Sequence, residues 1–153
     1  MITLKEGEKA PSFSGTYQDG KNVSLADYKG KKLVLYFYSE AGSPTCTVES
    51  CNLRDNYTFL LKNGFEVLGV SPDIASTQKK FEIKYKLPFP LLADSTHEVL
   101  EKYGVWDMKK LFGRVYMGVL RTTFVIDEKG MIRKIFKKPK NKTHAEEIIA
   151  AFS

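Results

Sequence analysis

Apolar and polar positions follow the strand period in the first part of the chain. Asp19-Gly20 separates two short segments whose apolar residues alternate, which predicts a β-hairpin. Residues 33–38 (LVLYFY) are apolar throughout and have polar neighbours, a pattern typical of a central strand buried on both faces. We therefore expect a hairpin near the N-terminus, followed by the strand around which the core forms.

Beyond residue 50 the pattern switches repeatedly between the helix period and the strand period. Helical spacing predicts helices over residues 53–64, 73–85, 96–103 and 144–152. Asn63-Gly64 and Gly104 are stop signals, and Asp73 is available as the N-cap of the helix over 73–85. Apolar runs predict strands over residues 65–72 and within 87–94, and a second hairpin over 122–136.

This order of elements predicts an α/β fold in which a central mixed β-sheet is flanked by helices and preceded by the N-terminal β-hairpin. No internal repeat or linker-like segment interrupts the pattern, so we expect a single domain over residues 1–153. The segment after residue 38 leaves the C-terminal end of a central strand. Open α/β sheets place their chemistry at that end of the strands, so candidate functional residues are sought there first.

Composition and charge narrow the class of protein further. The run at residues 33–38 is far too short to span a bilayer, and the N-terminus lacks the apolar core of a signal peptide, so we expect a cytoplasmic protein without a membrane partner. The formal net charge is +6, but lysine and arginine are spread along the chain. The densest run, residues 137–142 (KKPKNK), has no interleaved aromatics and is typical of a solvated loop, so no nucleic-acid partner is predicted.

The segment SEAGSPTCTVESC, residues 39–51, contains the only two cysteines, Cys46 and Cys51. Ser43-Pro44 is a helix-start signal, with Ser43 as the candidate N-cap and proline at the first helical position. Cys46 then falls in the first turn, where free N–H groups and the helix dipole favour negative charge. A thiol at this position ionises readily, and the thiolate is the reactive form of cysteine.

The spacing of the two cysteines limits what they can form together. In an intact helix their Cα atoms would lie roughly 8.7 Å apart, whereas a disulfide requires about 7 Å or less. Cys46 and Cys51 can therefore bridge only if the first turns of the helix unwind. A structural zinc site needs four ligands, and His97 and His144 lack ligand spacing. An exchange site of the thioredoxin type would need Cys-x-x-Cys. Apolar filler and a redox pair both remain open on spacing alone.

Several segments, in order, resemble the peroxiredoxins, most closely the bacterioferritin comigratory protein or peroxiredoxin Q group. They are GEKAPSFSG, LVLYFYS, SPTCTVESCNLRD, GVSPD, KYKLPFPLLAD, YGVW and YMGVLRTTFVID, which together extend over nearly the whole chain. The resemblance implies a thioredoxin-like fold and a peroxidase that reduces hydrogen peroxide and organic hydroperoxides without a metal or another cofactor. It also implies reduction by a thioredoxin-like or glutaredoxin-like protein, and we expect a monomer.

The resemblance also implies roles for individual residues. Cys46 matches the peroxidatic cysteine, which becomes a sulfenic acid, and Cys51 matches the resolving cysteine, which closes a disulfide within the chain. Arg121 matches an arginine that lies against the peroxidatic sulfur, where its cation favours the thiolate. Ser43 occupies the hydroxyl position of the family motif.

Ser39 and Glu49 are two further candidate positions near the cysteine. Ser39 stands where the family motif has proline, which adds an N–H and a hydroxyl close to the cysteine and bears on rate and peroxide preference. Glu49, one turn after Cys46, would either assist positioning and proton transfer or be a plain exposed carboxylate. The alternatives to a peroxidase are a general thiol–disulfide oxidoreductase and a non-enzymatic peroxide sensor or binding module.

Overall fold

The computed structural model describes residues 2–152, apart from the side chain of Leu111. The strands are, in chain order, β1 (Ser14–Thr16), β2 (Asn22–Ser24), β3 (Lys32–Phe37), β4 (Phe65–Ser71), β5 (Leu91–Ala93), β6 (Trp106–Leu111), β7 (Arg114–Val119), β8 (Thr122–Ile126) and β9 (Ile132–Phe136). The α-helices are α1 (Pro44–Asp55), α2 (Tyr57–Lys62), α3 (Ala75–Tyr85), α4 (Glu98–Lys102) and α5 (His144–Ala151), and a 3₁₀ helix spans Leu25–Tyr28.

The central sheet has five strands in the order β5-β4-β3-β8-β9. β3 pairs in parallel with β4 and antiparallel with β8, so the predicted mixed sheet is confirmed. β1 pairs with β2, and β8 with β9, which confirms both predicted hairpins. The turn of the first contains Gly20 at φ 79°, a backbone conformation that glycine adopts without steric cost.

Successive residues of β3 face opposite layers of the molecule, as a fully buried central strand requires. Leu33, Leu35 and Phe37 pack in one cluster with α4, the 3₁₀ helix and the N-terminal segments. Val34 and Tyr36 pack in the other cluster with α1, α2, α3 and α5. The helix that carries both cysteines therefore lies on one face of the sheet, in the same layer as α5.

The predicted helices differ from the observed ones mainly at their ends. The helix predicted over 53–64 is interrupted at Asn56, which separates α1 from α2. The helix predicted from residue 73 begins at Ala75, and Asp73 is not its cap. The Asp73 carboxylate instead accepts hydrogen bonds from the backbone N–H of Ala41 at 2.8 Å and from the Ser71 hydroxyl at 2.7 Å. Asp73 thus holds the loop before α1 rather than the start of α3.

The helix predicted over 96–103 is shorter and begins at Glu98. His97, before it, has a left-handed backbone (φ 66°), and its ring stacks on Trp106 at 3.9 Å between centroids. This contact joins the start of α4 to the hairpin formed by β6 and β7, an element that the sequence analysis did not predict. The apolar side chains of that hairpin are largely exposed, so they do not produce the pattern of a half-buried strand.

The topology brings three chain segments to one edge of the sheet. α1 starts shortly after the C-terminal end of β3, and Phe37 of β3 pairs with Thr122, the first residue of the antiparallel strand β8. Arg121, directly before β8, is therefore at the same edge as the start of α1. α5 packs beside α1 in the same layer, which adds its first residue, His144, to this region.

Candidate active site

The first turn of α1 begins as the sequence predicted. Ser43 is the N-cap residue, with extended backbone (φ −65°, ψ 147°), and Pro44 is at the first helical position. The Ser43 hydroxyl makes no capping hydrogen bond, however. Within the described residues, the buried hydroxyls of both Ser43 and Thr47 have no hydrogen-bond partner. Because buried polar groups are normally satisfied, these two hydroxyls beside Cys46 are suited to a polar substrate.

Cys46 is fully buried, and its Sγ lies 3.5 Å from the Oγ of Ser39. The rings of Tyr36 and Tyr38, stacked at 5.3 Å between centroids, belong to the same buried cluster as the cysteine. Their hydroxyls are engaged elsewhere, with Ser50 and Gln78 respectively, and burial raises the pKa of both tyrosines well above its usual value. Both rings thus act as an apolar wall, and Ser39 supplies the polar contact to the sulfur.

Glu49 is buried, so the alternative of a plain exposed carboxylate is wrong. One of its oxygens lies 3.2 Å from Nη2 of Arg121, and the other lies 3.8 Å from Nε2 of His144. Burial raises the pKa of the Glu49 carboxyl, and the charges of His144 and Arg121 partly oppose that shift. Glu49 is three residues after Cys46, so this ion-pair cluster lies one helical turn from the sulfur.

His144 joins the cluster from the start of α5. Its Nδ1 lies 2.6 Å from a carboxylate oxygen of Glu147, and its Nε2 lies 2.8 Å from the Thr123 hydroxyl. Glu49 is thus flanked by Arg121 on one side and by His144 on the other, and Glu147 contacts the far nitrogen of the His144 ring. The sequence analysis considered His144 only as a metal ligand. The pair His144 and Glu147, three residues apart at a helix start, was the available signal for a histidine held by a carboxylate.

Arg121 reaches this cluster but is not hydrogen-bonded to Cys46 in the described part of the chain. Its Nη2 pairs with Glu49 and donates to the side-chain oxygen of Asn141, and its buried Nε has no partner among the described residues. Asn141 lies in the run predicted to be a solvated loop, and Pro139 of that run is buried. Part of this run therefore packs against the protein and holds Arg121 through Asn141, while its lysines are exposed.

Cys51 lies on the same unbroken helix and is half-buried, and both thiols are free. Helix geometry separates the two Cα atoms by roughly 8.7 Å, beyond the reach of a disulfide. Burial raises the pKa of the Cys51 thiol, Asp55 acts in the same direction, and Arg54 opposes both. Cys51 is thus held as a protonated thiol, away from its partner, while α1 is intact.

The helix beyond Cys51 is anchored to its neighbours. The Asn52 side chain accepts a hydrogen bond from the backbone N–H of Ala145 at 2.7 Å and donates to the carbonyl of Lys142 at 2.9 Å. Asn52 thereby caps the start of α5, where Thr143, the N-cap residue, makes no side-chain cap. Arg54 donates to the carbonyl of Tyr85 at the end of α3, at 2.7 Å. The distal half of α1 is therefore fixed to both flanking helices.

Comparisons with known proteins cover nearly the whole chain. A sequence model of the AhpC/TSA family matches residues 7–135. The chain is 42% identical over 148 residues to peroxiredoxin Bcp of Bacillus subtilis (strain 168), covering 97% of this chain and 94% of the relative. It is 42% identical over 149 residues to peroxiredoxin Bcp of Escherichia coli (strain K12), covering 97% and 96%.

Two solved structures give the same result for the fold. Peroxidoxin BcpB from Mycobacterium tuberculosis superposes with a TM-score of 0.85 at 30% identity, covering 97% of this chain and 96% of that chain. The bacterioferritin comigratory protein of Xanthomonas campestris, studied for alkyl peroxide reduction, superposes with a TM-score of 0.85 at 27% identity, covering 91% and 88%. These neighbours confirm the predicted thioredoxin-like fold.

Proposed function

The chain belongs to the AhpC/TSA family of peroxiredoxins, and we propose that Cys46 and Cys51 carry out its thiol peroxidase reaction. The observation that carries this assignment is the first turn of α1. There the hydroxyls of Ser43 and Thr47, three residues before and one residue after the buried Cys46, lack partners within the described residues. A hydroperoxide has oxygens that can use these groups, whereas an apolar substrate would leave them unsatisfied.

In the first step the Cys46 thiolate attacks the terminal, hydrogen-bearing oxygen of the hydroperoxide. An S–O bond forms, the O–O bond breaks, and its electron pair goes to the departing oxygen, which takes a proton and leaves as water or an alcohol. The sulfur is oxidised by two electrons to sulfenic acid. Ser43 donates to a peroxide oxygen, and the unpaired Nε of Arg121 is available for the negative charge that develops on the leaving oxygen.

Glu49 and His144 act as positioning residues in this scheme. Glu49 holds the outer nitrogen of Arg121, and His144 holds Glu49 from the opposite side. The guanidinium is therefore oriented before the peroxide arrives, which avoids reorganisation during the reaction. Ser39 contributes a hydroxyl that donates to the ionised sulfur, in the place where the family motif has proline. Such a bond stabilises the thiolate and at the same time reduces its nucleophilicity.

In the second step Cys51 attacks the sulfenic sulfur, an S–S bond forms, and water leaves. The helical separation of the cysteines requires the first turns of α1 to unwind beforehand. A thioredoxin-like or glutaredoxin-like dithiol then reduces the disulfide by exchange and returns both thiols. Because both cysteines belong to one chain, the cycle needs no second subunit, and we expect a monomer acting in the cytoplasm on hydrogen peroxide and organic hydroperoxides.

Thiol counting after a single oxidation tests the assignment. The reduced protein is mixed with one equivalent of hydrogen peroxide, free thiols are titrated, and disulfides are mapped by mass spectrometry of the digested chain. We expect both thiols to be lost and a Cys46–Cys51 bridge to appear within one chain. Retention of two thiols, or a bridge between two chains, would contradict the scheme. Reduction of insulin by the dithiol protein without peroxide would instead favour a general oxidoreductase.

A further inference from the structure

The hairpin of β6 and β7 concentrates exposed apolar side chains. Met108, Val115, Tyr116 and Met117 are all largely exposed, and Phe112, in the turn, is 94% exposed. The other large apolar side chains that are exposed within the described residues are scattered between α1 and α3. Clustered exposure of this kind marks interaction surfaces, because isolated apolar residues on a surface are ordinary but a group of them is not.

The strand register places three of these side chains on one face of the hairpin and Tyr116 on the other. Met108 is opposite Met117 and Lys110 is opposite Val115, so these four share one face. Lys109 and Tyr116 form a cross-strand pair on the other face. A folded protein partner would cover one face and leave the other in water. Surroundings that enclose the whole tip would cover the apolar side chains on both faces.

The charges on the hairpin indicate the chemical nature of these surroundings. Lys109 and Lys110 bring a positive charge to each face, and Arg114 adds a third next to the turn. At the root, Lys137 and Lys138 line a pocket of about 330 Å³ together with Lys109 and Arg121. Phe112 is at the tip, and cations are interleaved with apolar side chains along both strands behind it. This mixture matches an anionic bilayer surface, where apolar side chains enter the acyl region and long cationic side chains extend to the negative headgroups.

We propose that this hairpin inserts its tip into the interface of anionic phospholipid membranes. Interfacial insertion reaches about 5–10 Å, which at about 3.4 Å per residue corresponds to two or three residues of each strand. That depth immerses Phe112 and Val115 and leaves Lys109 at the level of the headgroups. Arg114 and Lys110 reach the same depth as Val115, and their long side chains extend back to the headgroups. Within the described residues no helix is long and apolar enough to cross a bilayer, so the contact is peripheral. A second copy of the chain is a poorer occupant, because two molecules of net charge +6 repel each other.

Membrane contact would orient the candidate active site. The pocket shared by Lys109 and Arg121 joins the hairpin root to the ion-pair cluster beside Cys46. A molecule held by its hairpin tip therefore presents the Arg121 side of the site towards the headgroups. This inference concerns where the protein acts and stands independently of the two-cysteine cycle.

Vesicle flotation with the full reduced chain tests the proposal. Vesicles made of equal parts phosphatidylglycerol and phosphatidylcholine are compared with pure phosphatidylcholine, and the fraction of protein that floats is measured. We expect binding to the anionic vesicles and about a tenfold weaker partition for Phe112→Ser, because the largest inserted side chain is lost. The matched control is Phe59→Ser, which removes an exposed phenylalanine of α2 and should bind as the parent does. Equal binding to both kinds of vesicle, or unchanged binding of Phe112→Ser, would overturn the proposal.

Two further measurements separate lipid insertion from other contacts. Lys110→Gln should weaken binding to anionic vesicles about fivefold, whereas Lys62→Gln on α2 should not. Phe112→Trp should be quenched by brominated acyl chains on binding, and lack of quenching would rule out insertion. A Phe112-dependent dimer in lipid-free sedimentation would assign the hairpin to a second copy and overturn the proposal. Hydrogen peroxide reduction without vesicles should be unchanged in Phe112→Ser, so failure of membrane binding is distinguishable from failure of the peroxidase scheme.

Discussion

The two ends of α1 are built differently although they belong to one helix. At the proximal end, the hydroxyls of Ser43 and Thr47 have no hydrogen-bond partner among the described residues, and the N-cap side chain does not cap. At the distal end, Asn52 and Arg54 bond to the neighbouring helices α5 and α3. One cysteine lies in each half. Polar groups are thus left unpaired at the proximal end, where peroxide is to be bound. At the distal end polar side chains instead anchor the helix to its neighbours.

This contrast explains how a single helix can serve two successive steps. The intact first turn forms the site that oxidises Cys46, and its few side-chain contacts also make it the weaker end. Local opening follows the distribution of contacts, and segments with few of them open first. Unwinding is therefore expected to begin at Ser43 and to stop at the anchored residues after Cys51. To free Cys51 it must also break the contacts of Glu49 with Arg121 and His144.

The largest effect is expected from removing the proximal cysteine. Cys46→Ser should abolish peroxide turnover, because Cys51 is a half-buried thiol whose pKa is raised by burial, which lowers its thiolate fraction. The measurement is peroxide consumption in the presence of a thioredoxin system. Residual turnover in this variant would mean that Cys51 also reacts directly, and the contrast between the two halves would fail.

Removing the distal cysteine should separate the two steps. Cys51→Ser should consume about one equivalent of peroxide and then stop turning over with thioredoxin, because the sulfenic acid on Cys46 lacks its intramolecular partner. Trapping with a dimedone-type reagent and mass spectrometry identifies the modified residue. Full multiple turnover with thioredoxin would show that another thiol resolves the intermediate.

The unequal anchoring predicts unequal costs in stability. Asn52→Ala should lower the free energy of unfolding by about 1–3 kcal/mol, since it removes the cap of α5 and a bond to the Lys142 carbonyl. Ser43→Ala should cost less than about 0.5 kcal/mol, because the hydroxyl makes no bond to lose. Urea denaturation of both variants gives the comparison. Equal costs would show that the first turn is held as firmly as the distal half.

A smaller effect on catalysis is expected from the histidine behind Glu49. His144→Gln should lower kcat/KM for peroxide about tenfold, because one contact that holds Glu49 is lost. A change in the pH profile of kcat/KM should accompany it, which a purely structural role would not produce. His97→Gln is the matched control, since His97 stacks on Trp106 at the root of the hairpin. An unchanged pH profile in His144→Gln would exclude the positioning role.

The smallest effect concerns the reactivity of the distal thiol. In a Cys46→Ser background, Asp55→Asn should raise the iodoacetamide reaction rate of Cys51 about twofold at neutral pH. Asp55 raises the pKa of Cys51, so its removal increases the thiolate fraction. The parent's pH–rate curve should have its midpoint above that of an ordinary cysteine, as burial also raises this pKa. Asp19→Asn, which alters a distant exposed carboxylate, should leave the rate unchanged.

Local signals were sufficient for much of the fold and for the position of the reactive helix. The apolar run at residues 33–38 identified the central strand, and Ser43-Pro44 located the start of α1 to the residue. These features depend on neighbours in sequence. The structure also brings the candidate site residues Glu49 and Arg121 together. That Arg121 lies against the peroxidatic sulfur stays a prediction.

The features that the sequence analysis missed depend on tertiary contacts. His144 enters the cluster because α5 packs beside α1, which no pattern within α5 reveals. Asp73 has the composition of a cap but is drawn to the loop at Ala41 by a contact across 32 positions of the chain. The hairpin of β6 and β7 was missed because its apolar side chains point into solvent, so alternation did not distinguish a buried face.

The anchoring by Asn52 also has a consequence for survival under oxidative stress. The sulfenic acid on Cys46 has two fates, capture by Cys51 or attack by a second peroxide molecule that drives it irreversibly to sulfinic acid. Because the anchor lies immediately beyond Cys51, only about two turns of helix must melt, and capture does not wait for a larger rearrangement. The length of helix that must melt, together with the Glu49 contacts within it, thus influences the peroxide dose at which inactivation overtakes recycling. Extending it by Asn52→Ala alters that dose without touching either sulfur.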